Sequence, residues 1–232
     1  MPYPRDPIVQ PVPIESLRPT QMTVGMREVE DKRKRLHGQK GKKMGKFVGG
    51  HMIPVVWGPK ERYYIVDHHH LSLALLKEGW DHVLVTVISD LRQLAGDAFW
   101  TFCDHHGWVY PYDANGRRRD FSDLPKAVTG LKDDPFRSLA GELRRAGGFA
   151  KDLTPFSEFL WADFLRGQMK TKVVETDFEA ALEKALLLAK SPESAYLPGW
   201  CGPHDSLMRN LSARHGRACP GHPDQDGTIL PS

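Results

Sequence analysis

The stretch Tyr63-Tyr64-Ile65-Val66-Asp67-His68-His69-His70-Leu71 constrains this chain more than any other. Four apolar residues in a row read as a buried strand. An Asp and three His follow, and then Leu71, Leu73, Ala74, Leu75 and Leu76 recur at helical spacing until Gly79. A strand therefore runs straight into a helix over residues 68–78, with a polar cluster on the turn between them. Asp67 is typed as the helix N-cap, because a carboxylate accepts the free N–H groups of a first turn. The helix start also presents N–H groups and partial positive charge, which suits an anion such as phosphate. Imidazoles at that place donate hydrogen bonds, carry protons or bind metal. The pattern points to a functional site at Asp67–His70.

At 232 residues the chain is long enough for one large domain or two small ones. No apolar run approaches the roughly 20 residues that span a bilayer, and Met1–Pro7 lacks the apolar core of a signal peptide. A cytoplasmic protein without a membrane partner is expected. Cys103, Cys201 and Cys219 are far apart and form no CxxC pair, which fits a reducing compartment. A net charge of +3 does not by itself call for nucleic acid.

Residues 1–7 read as a Pro-rich arm, and Ile8–Ile14 as a short strand whose prolines place it at a sheet edge. Pro19 and Gly25 bound a loop that carries Arg18, Thr20 and Gln21. Residues 26–36 read as a helix, with Met26, Val29, Arg33 and Leu36 on one stripe and Glu28–Lys32 and Glu30–Lys34 as i,i+4 pairs. Between Lys32 and Lys46 there are eight Lys and Arg and no acid, and glycines make Lys40–Lys46 a flexible basic loop without P-loop spacing. Residues 52–57 form a strand, a Gly58–Glu61 turn makes a hairpin with 63–66, and 83–88 form a further β-branched strand. An α/β unit thus closes near residue 90. The later periodicity is helical, over 91–106, 123–130, 135–146, 155–167 and 175–190, with Phe136, Phe149, Phe156, Phe159, Trp161 and Phe164 read as core. From Ser191 onward Gly and Pro punctuate the chain, and it is read as a disordered tail, Cys219 and His222 included.

With its surroundings, the Asp67–His70 turn resembles the ParB-like nuclease branch of the ParB/sulfiredoxin superfamily. The resemblance rests on Leu17–Gln21, Val24-Gly25, Ile53–Val56, Tyr64–His70, Asp133–Gly141, Gly147–Lys151 and Phe156–Ala162. It implies an α/β (α+β) fold: a small mixed-sheet core over residues 1–90, a helical cap or subdomain over 91–190, and the tail over 191–232. In the wider superfamily the turn often reads Asp-Gly-His-His-Arg. Here Asp67, His69 and His70 match, His68 stands for the Gly and Leu71 for the Arg. The basic loop Lys40–Lys46, Arg18 and Lys151 are the candidates to stand in for that Arg, and Gln21 is a further expected phosphate contact. Sulfiredoxins carry a catalytic Cys in this turn and this chain has none there. Nor does any stretch of 91–190 read as the helix-turn-helix of partition proteins.

The resemblance implies phosphoryl transfer or phosphodiester hydrolysis between helix 26–36 and the turn. His68, His69, His70 and Lys32 are expected to contact phosphate. Asp67 is expected to cap the helix and orient a His, or to hold Mg²⁺, and Glu28 or Glu30 to act as base. The expected ligand is a nucleotide (ATP, ADP or CTP) or nucleic acid. Two other readings stand beside this one on the same fold: a non-catalytic nucleotide- or DNA-binding module, and a free-serine kinase-like enzyme. A metal site from His68 and His70, joined by His51, His105 or His106, is a further alternative without standard zinc spacing.

Overall fold

The computed structural model describes residues 8–37 and 51–203. The Pro-rich arm, the basic loop Lys40–Lys46, and Cys219 and His222 lie outside them. Among the described residues, five short 3₁₀ turns and seven α-helices accompany a mixed five-stranded sheet. The strands are β1 (Ile8–Pro13), β2 (Arg18–Pro19), β4 (Ile53–Gly58), β5 (Arg62–Ile65) and β6 (His82–Asp90), in the order β1-β6-β4-β5-β2. Pro11 and Pro13 sit on the edge strand β1, where a missing N–H costs no ladder bond. β4 and β5 form the expected antiparallel hairpin, and β6 lies parallel to β4 with a register shift between Val55 and Val56.

Helix α1 spans Met26–Leu36, the range its apolar stripe predicts, and buries Val29 and Leu36. It packs on α2 (His69–Lys77), whose Leu71, Leu73, Ala74 and Leu75 join Ile53, Val55, Ile65 and Val85 of the sheet in one core. Of the two i,i+4 pairs expected on α1, Glu28–Lys32 forms at 3.3 Å. Glu30 instead pairs with Arg33 at 2.9 Å and with Lys77 of α2 at 3.4 Å, because α2 crosses beside it.

After the sheet come α3 (Gly96–His105), α4 (Pro135–Arg145), α5 (Ser157–Gln168), α6 (Thr171–Thr176) and α7 (Phe178–Ala189). The helix expected over 123–130 is instead two 3₁₀ turns, Phe121–Asp123 and Val128–Gly130, separated by Pro125, which cannot donate to a helical ladder. The helix expected over 175–190 is broken at Asp177, which caps α7 by accepting the Ala180 N–H. Strand β3 (Thr23–Val24) pairs parallel with β7 (Lys132–Asp133), so the N-terminal part and the helical part are hydrogen-bonded to each other just before α1 and α4 begin. The aromatics of α4 and α5 are core: Phe136, Phe159, Trp161 and Phe164 are buried, and Phe149 stacks on Trp161. Packing continues past Ser191, where disorder was expected. Leu197 is buried, and Trp161 donates its indole N–H to the Pro198 carbonyl at 2.8 Å.

Candidate functional site

The strand–helix turn forms as the sequence predicts, but its capping differs. The N-cap of α2 is His68, with φ 66° and ψ 26°, and it makes no side-chain cap bond. Asp67 lies one residue too early to cap: its Oδ1 accepts the His68 N–H at 2.6 Å. Among the described residues the N–H groups of His69, His70 and Leu71 have no acceptor, so the start of α2 remains open.

Both following histidines are buried and used as acceptors. The Thr20 N–H donates to His69 Nε2 at 3.1 Å, and the Gly25 N–H donates to His70 Nε2 at 2.9 Å. Each ring thereby stitches the Leu17–Gly25 loop to the turn, with Thr20 Oγ1 adding a bond to the Ile65 carbonyl. An Nε2 that accepts leaves the ring proton on Nδ1. Burial, which disfavours the charged form, pushes both imidazoles down to about 3. They are neutral at physiological pH.

α1 and α4 bring the charges. Glu28 lies 3.3 Å from Lys32 and 3.5 Å from Arg137. Burial opposes its charge. His70, charged only in acid, together with Arg137 and Lys32 outweighs that penalty and brings the carboxyl down to about 2. His70, 3.6 Å away, is not an ion-pair partner at neutral pH, since its Nε2 lone pair is turned to the Gly25 N–H. Arg137 is buried and bridges Glu28 to Glu158 of α5, and Arg144 joins Glu158 at 2.6 Å. Among the described residues the Nε of Arg137 has no partner.

Two cavities flank this wall. The first, of about 320 Å³, is lined by Gln21, Asp67, His69, His70, Arg137 and the first turn of α5 from Phe156 to Phe159. The N-cap of α5, Phe156, is also left-handed (φ 59°) and also lacks a side-chain cap. The second, of about 360 Å³, is lined by Glu28, Lys32, Arg35, His51, His68, Leu71 and Arg144. Asp67, His70, Arg137 and Glu158 border both.

Residues 10–167, which contain the sheet, the turn and α4, match the family described as "Putative ParB-like nuclease". The chain belongs to this ParB-like nuclease family. The resemblance read from the sequence is borne out. Protein Atu1540 from Agrobacterium tumefaciens, known from a crystal structure, is similar to this ParB-like chain at 50% identity and a TM-score of 0.81. The similarity covers 85% of this chain and 98% of that one. No curated protein matches. Among the described residues no helix is long and apolar enough to cross a membrane.

Of the site residues expected from the sequence, the ParB-like fold gathers Glu28, Lys32, Asp67, His68, His69, His70 and Gln21 around the two cavities. It does not bring Glu30, Arg18 or Lys151 there. The side chain of Glu30 is 44% exposed and faces Arg33 and Lys77. Arg18 donates to the Lys126 carbonyl, and Lys151 is exposed on its loop. His105 and His106 are exposed and line neither cavity, and among the described residues no three His, Cys, Asp or Glu side chains cluster to hold a metal. Sequence reasoning did not single out Arg137, Arg144 or Glu158. The available signal was the family stretches Asp133–Gly141 and Phe156–Ala162, which contain Arg137 and Glu158. With Leu71 buried where the motif has Arg, the guanidinium beside the turn comes from α4.

Proposed function

We propose that the cleft binds the phosphate of a nucleotide or of a nucleic-acid backbone, with phosphodiester hydrolysis or phosphoryl transfer as its reaction class. One observation carries this reading. Two helix N-termini without side-chain caps, those of α2 and α5, line one cavity beside the buried guanidinium of Arg137. Open N-termini supply N–H donors and partial positive charge, and a guanidinium supplies a planar fork. Such a set stabilises charge on the non-bridging oxygens of a phosphate under attack.

A metal held by protein side chains does not fit the donors present. Glu28 and Glu158 are committed to Lys32, Arg137 and Arg144, which leaves Asp67 as a single carboxylate. A Mg²⁺ that accompanies a nucleotide is carried mainly by the phosphates and water, so no step here is routed through it. Free-serine phosphorylation with Glu28 or Glu30 as base is disfavoured: a carboxyl at about 2 is a weak base, and Glu30 faces away. The same shortage of bases favours a second reading, a nucleotide- or DNA-binding module without turnover.

The test is thermal shift with ATP, ADP, CTP and a short DNA duplex, each with and without Mg²⁺, followed by turnover assays on whatever binds. Ligand that prefers the folded state raises Tm. At least one ligand is expected to do so, and Arg137→Lys, which keeps the charge and loses the fork, is expected to abolish the shift. No shift with any of them would overturn the phosphate reading. Tight binding without turnover would select the binding module.

A further inference from the structure

The cleft holds several anion-binding groups and few that can take up a proton. The Nε2 atoms of His69 and His70 are already used by backbone N–H groups. Glu28 sits between Lys32 and Arg137, and Glu158 between Arg137 and Arg144. Asp67 accepts the His68 N–H from an exposed position.

His68 is different. It holds a left-handed backbone conformation (φ 66°) that suits glycine better than a residue with a side chain. Strain of this kind gathers at functional turns, where the side chain is needed. The ring is half-buried and borders the second cavity, next to Glu28, Lys32 and Arg144. Its Nδ1 is shielded from solvent and has no hydrogen-bond partner among the described residues. Among the imidazoles of the turn it is the one whose ring nitrogens make no bond to the protein among the described residues.

We propose that His68, on the second cavity, which shares Asp67, His70, Arg137 and Glu158 with the phosphate-binding one, is the proton acceptor for phosphodiester hydrolysis in this cleft, an inference that rests on the phosphate reading above. The attacking water gives one proton to the His68 ring as its oxygen forms a bond to phosphorus. The bond from phosphorus to the leaving oxygen breaks, and that oxygen keeps the electron pair. The proton on His68 then reaches the leaving oxygen through solvent, so water is the one co-reactant. Asp67, through the His68 N–H, is a positioning residue that holds the turn.

The test compares wild type with His68→Gly and His105→Ala, using ATP and a short DNA duplex with Mg²⁺ as substrates. Glycine suits the left-handed position, so His68→Gly folds. Its turnover is expected to fall about 100-fold or more, the usual size of a general-base contribution. The ligand-induced rise in Tm is expected to persist, and added imidazole to recover part of the rate. His105→Ala, at an exposed imidazole that lines neither cavity, is expected to keep turnover. Wild-type rates in His68→Gly would overturn the proposal and leave the phosphate site standing. Wild-type protein that binds these ligands without turnover would overturn it in favour of the binding module. Wild-type protein that neither binds nor turns over would overturn the phosphate reading as well.

Discussion

Thr20 and Gly25 each donate a buried backbone N–H to an imidazole, and this ties acid stability to two residues. His69 and His70 fall from 6.5 to about 3 on folding because burial disfavours their charged form. The unfolded chain therefore takes up protons first as pH drops. The stability they contribute is fully present above pH 6.5 and is lost as pH falls through about 3. Glu28 adds a loss at lower pH, between 4.5 and about 2. Urea unfolding is expected to show a steep loss of stability already between about pH 6 and pH 4. His70→Gln, whose amide oxygen accepts without titrating, is expected to flatten that part of the curve. His70→Ala leaves the Gly25 N–H without its acceptor and opens a cavity, and is expected to cost about 2–4 kcal/mol at neutral pH. His68→Gly is expected to gain about 1 kcal/mol in the same assay, by relieving the left-handed backbone. The residue types at this turn were legible in the sequence. Which ring nitrogens the backbone would occupy was not, because their partners lie on a different loop.

At the scale of elements, the closeness of α1 and α4 sets the charges of the cleft. Gly25, just before α1, faces Ser138 of α4: an added Cβ would lie 2.7 Å from Ser138 Oγ and 2.8 Å from its backbone N. Backbone cannot yield as a side chain can, so Gly25→Ala is expected to cost about 1–3 kcal/mol. By moving α1 off α4 it would also separate Glu28 from Arg137. Chemical denaturation checks the first effect, and loss of any nucleotide-induced rise in Tm checks the second. The bounds of α1 and the β4–β5–α2 succession were readable because apolar periodicity is a local property. Residues 123–130 were misread as helical because the apolar spacing there serves two tight turns around Pro125. The pairing of Glu30 was misread because i,i+4 spacing does not include the Lys77 that α2 brings alongside.

Over the whole molecule, the parallel pairing of β3 with β7 places α1 beside α4, and residues beyond α7 close over the helical part. Leu197 is buried, Trp161 reaches the Pro198 carbonyl at 2.8 Å, and the Ala150 N–H donates to the Gly199 carbonyl at 2.8 Å. A chain ending at residue 190 loses all three. It is expected to be about 2–4 kcal/mol less stable than one ending at residue 203, measured by urea unfolding and as a lower Tm. Helical and strand periodicity, the Asp67–His70 turn and the family motifs were fixed by the order of residues alone, because each is a pattern within one segment. The sequence thus determined an α+β ParB-like chain and drew attention to the turn that borders both cavities. Tertiary structure decided what surrounds it. Arg137 of α4 stands beside a motif that carries Leu71 instead of Arg, and Glu158 of α5 completes the wall. Glu30 is turned away, and two imidazoles act as acceptors for backbone amides. Ion pairs and hydrogen bonds of this kind depend on distances between segments far apart in the chain, and only packing sets those distances.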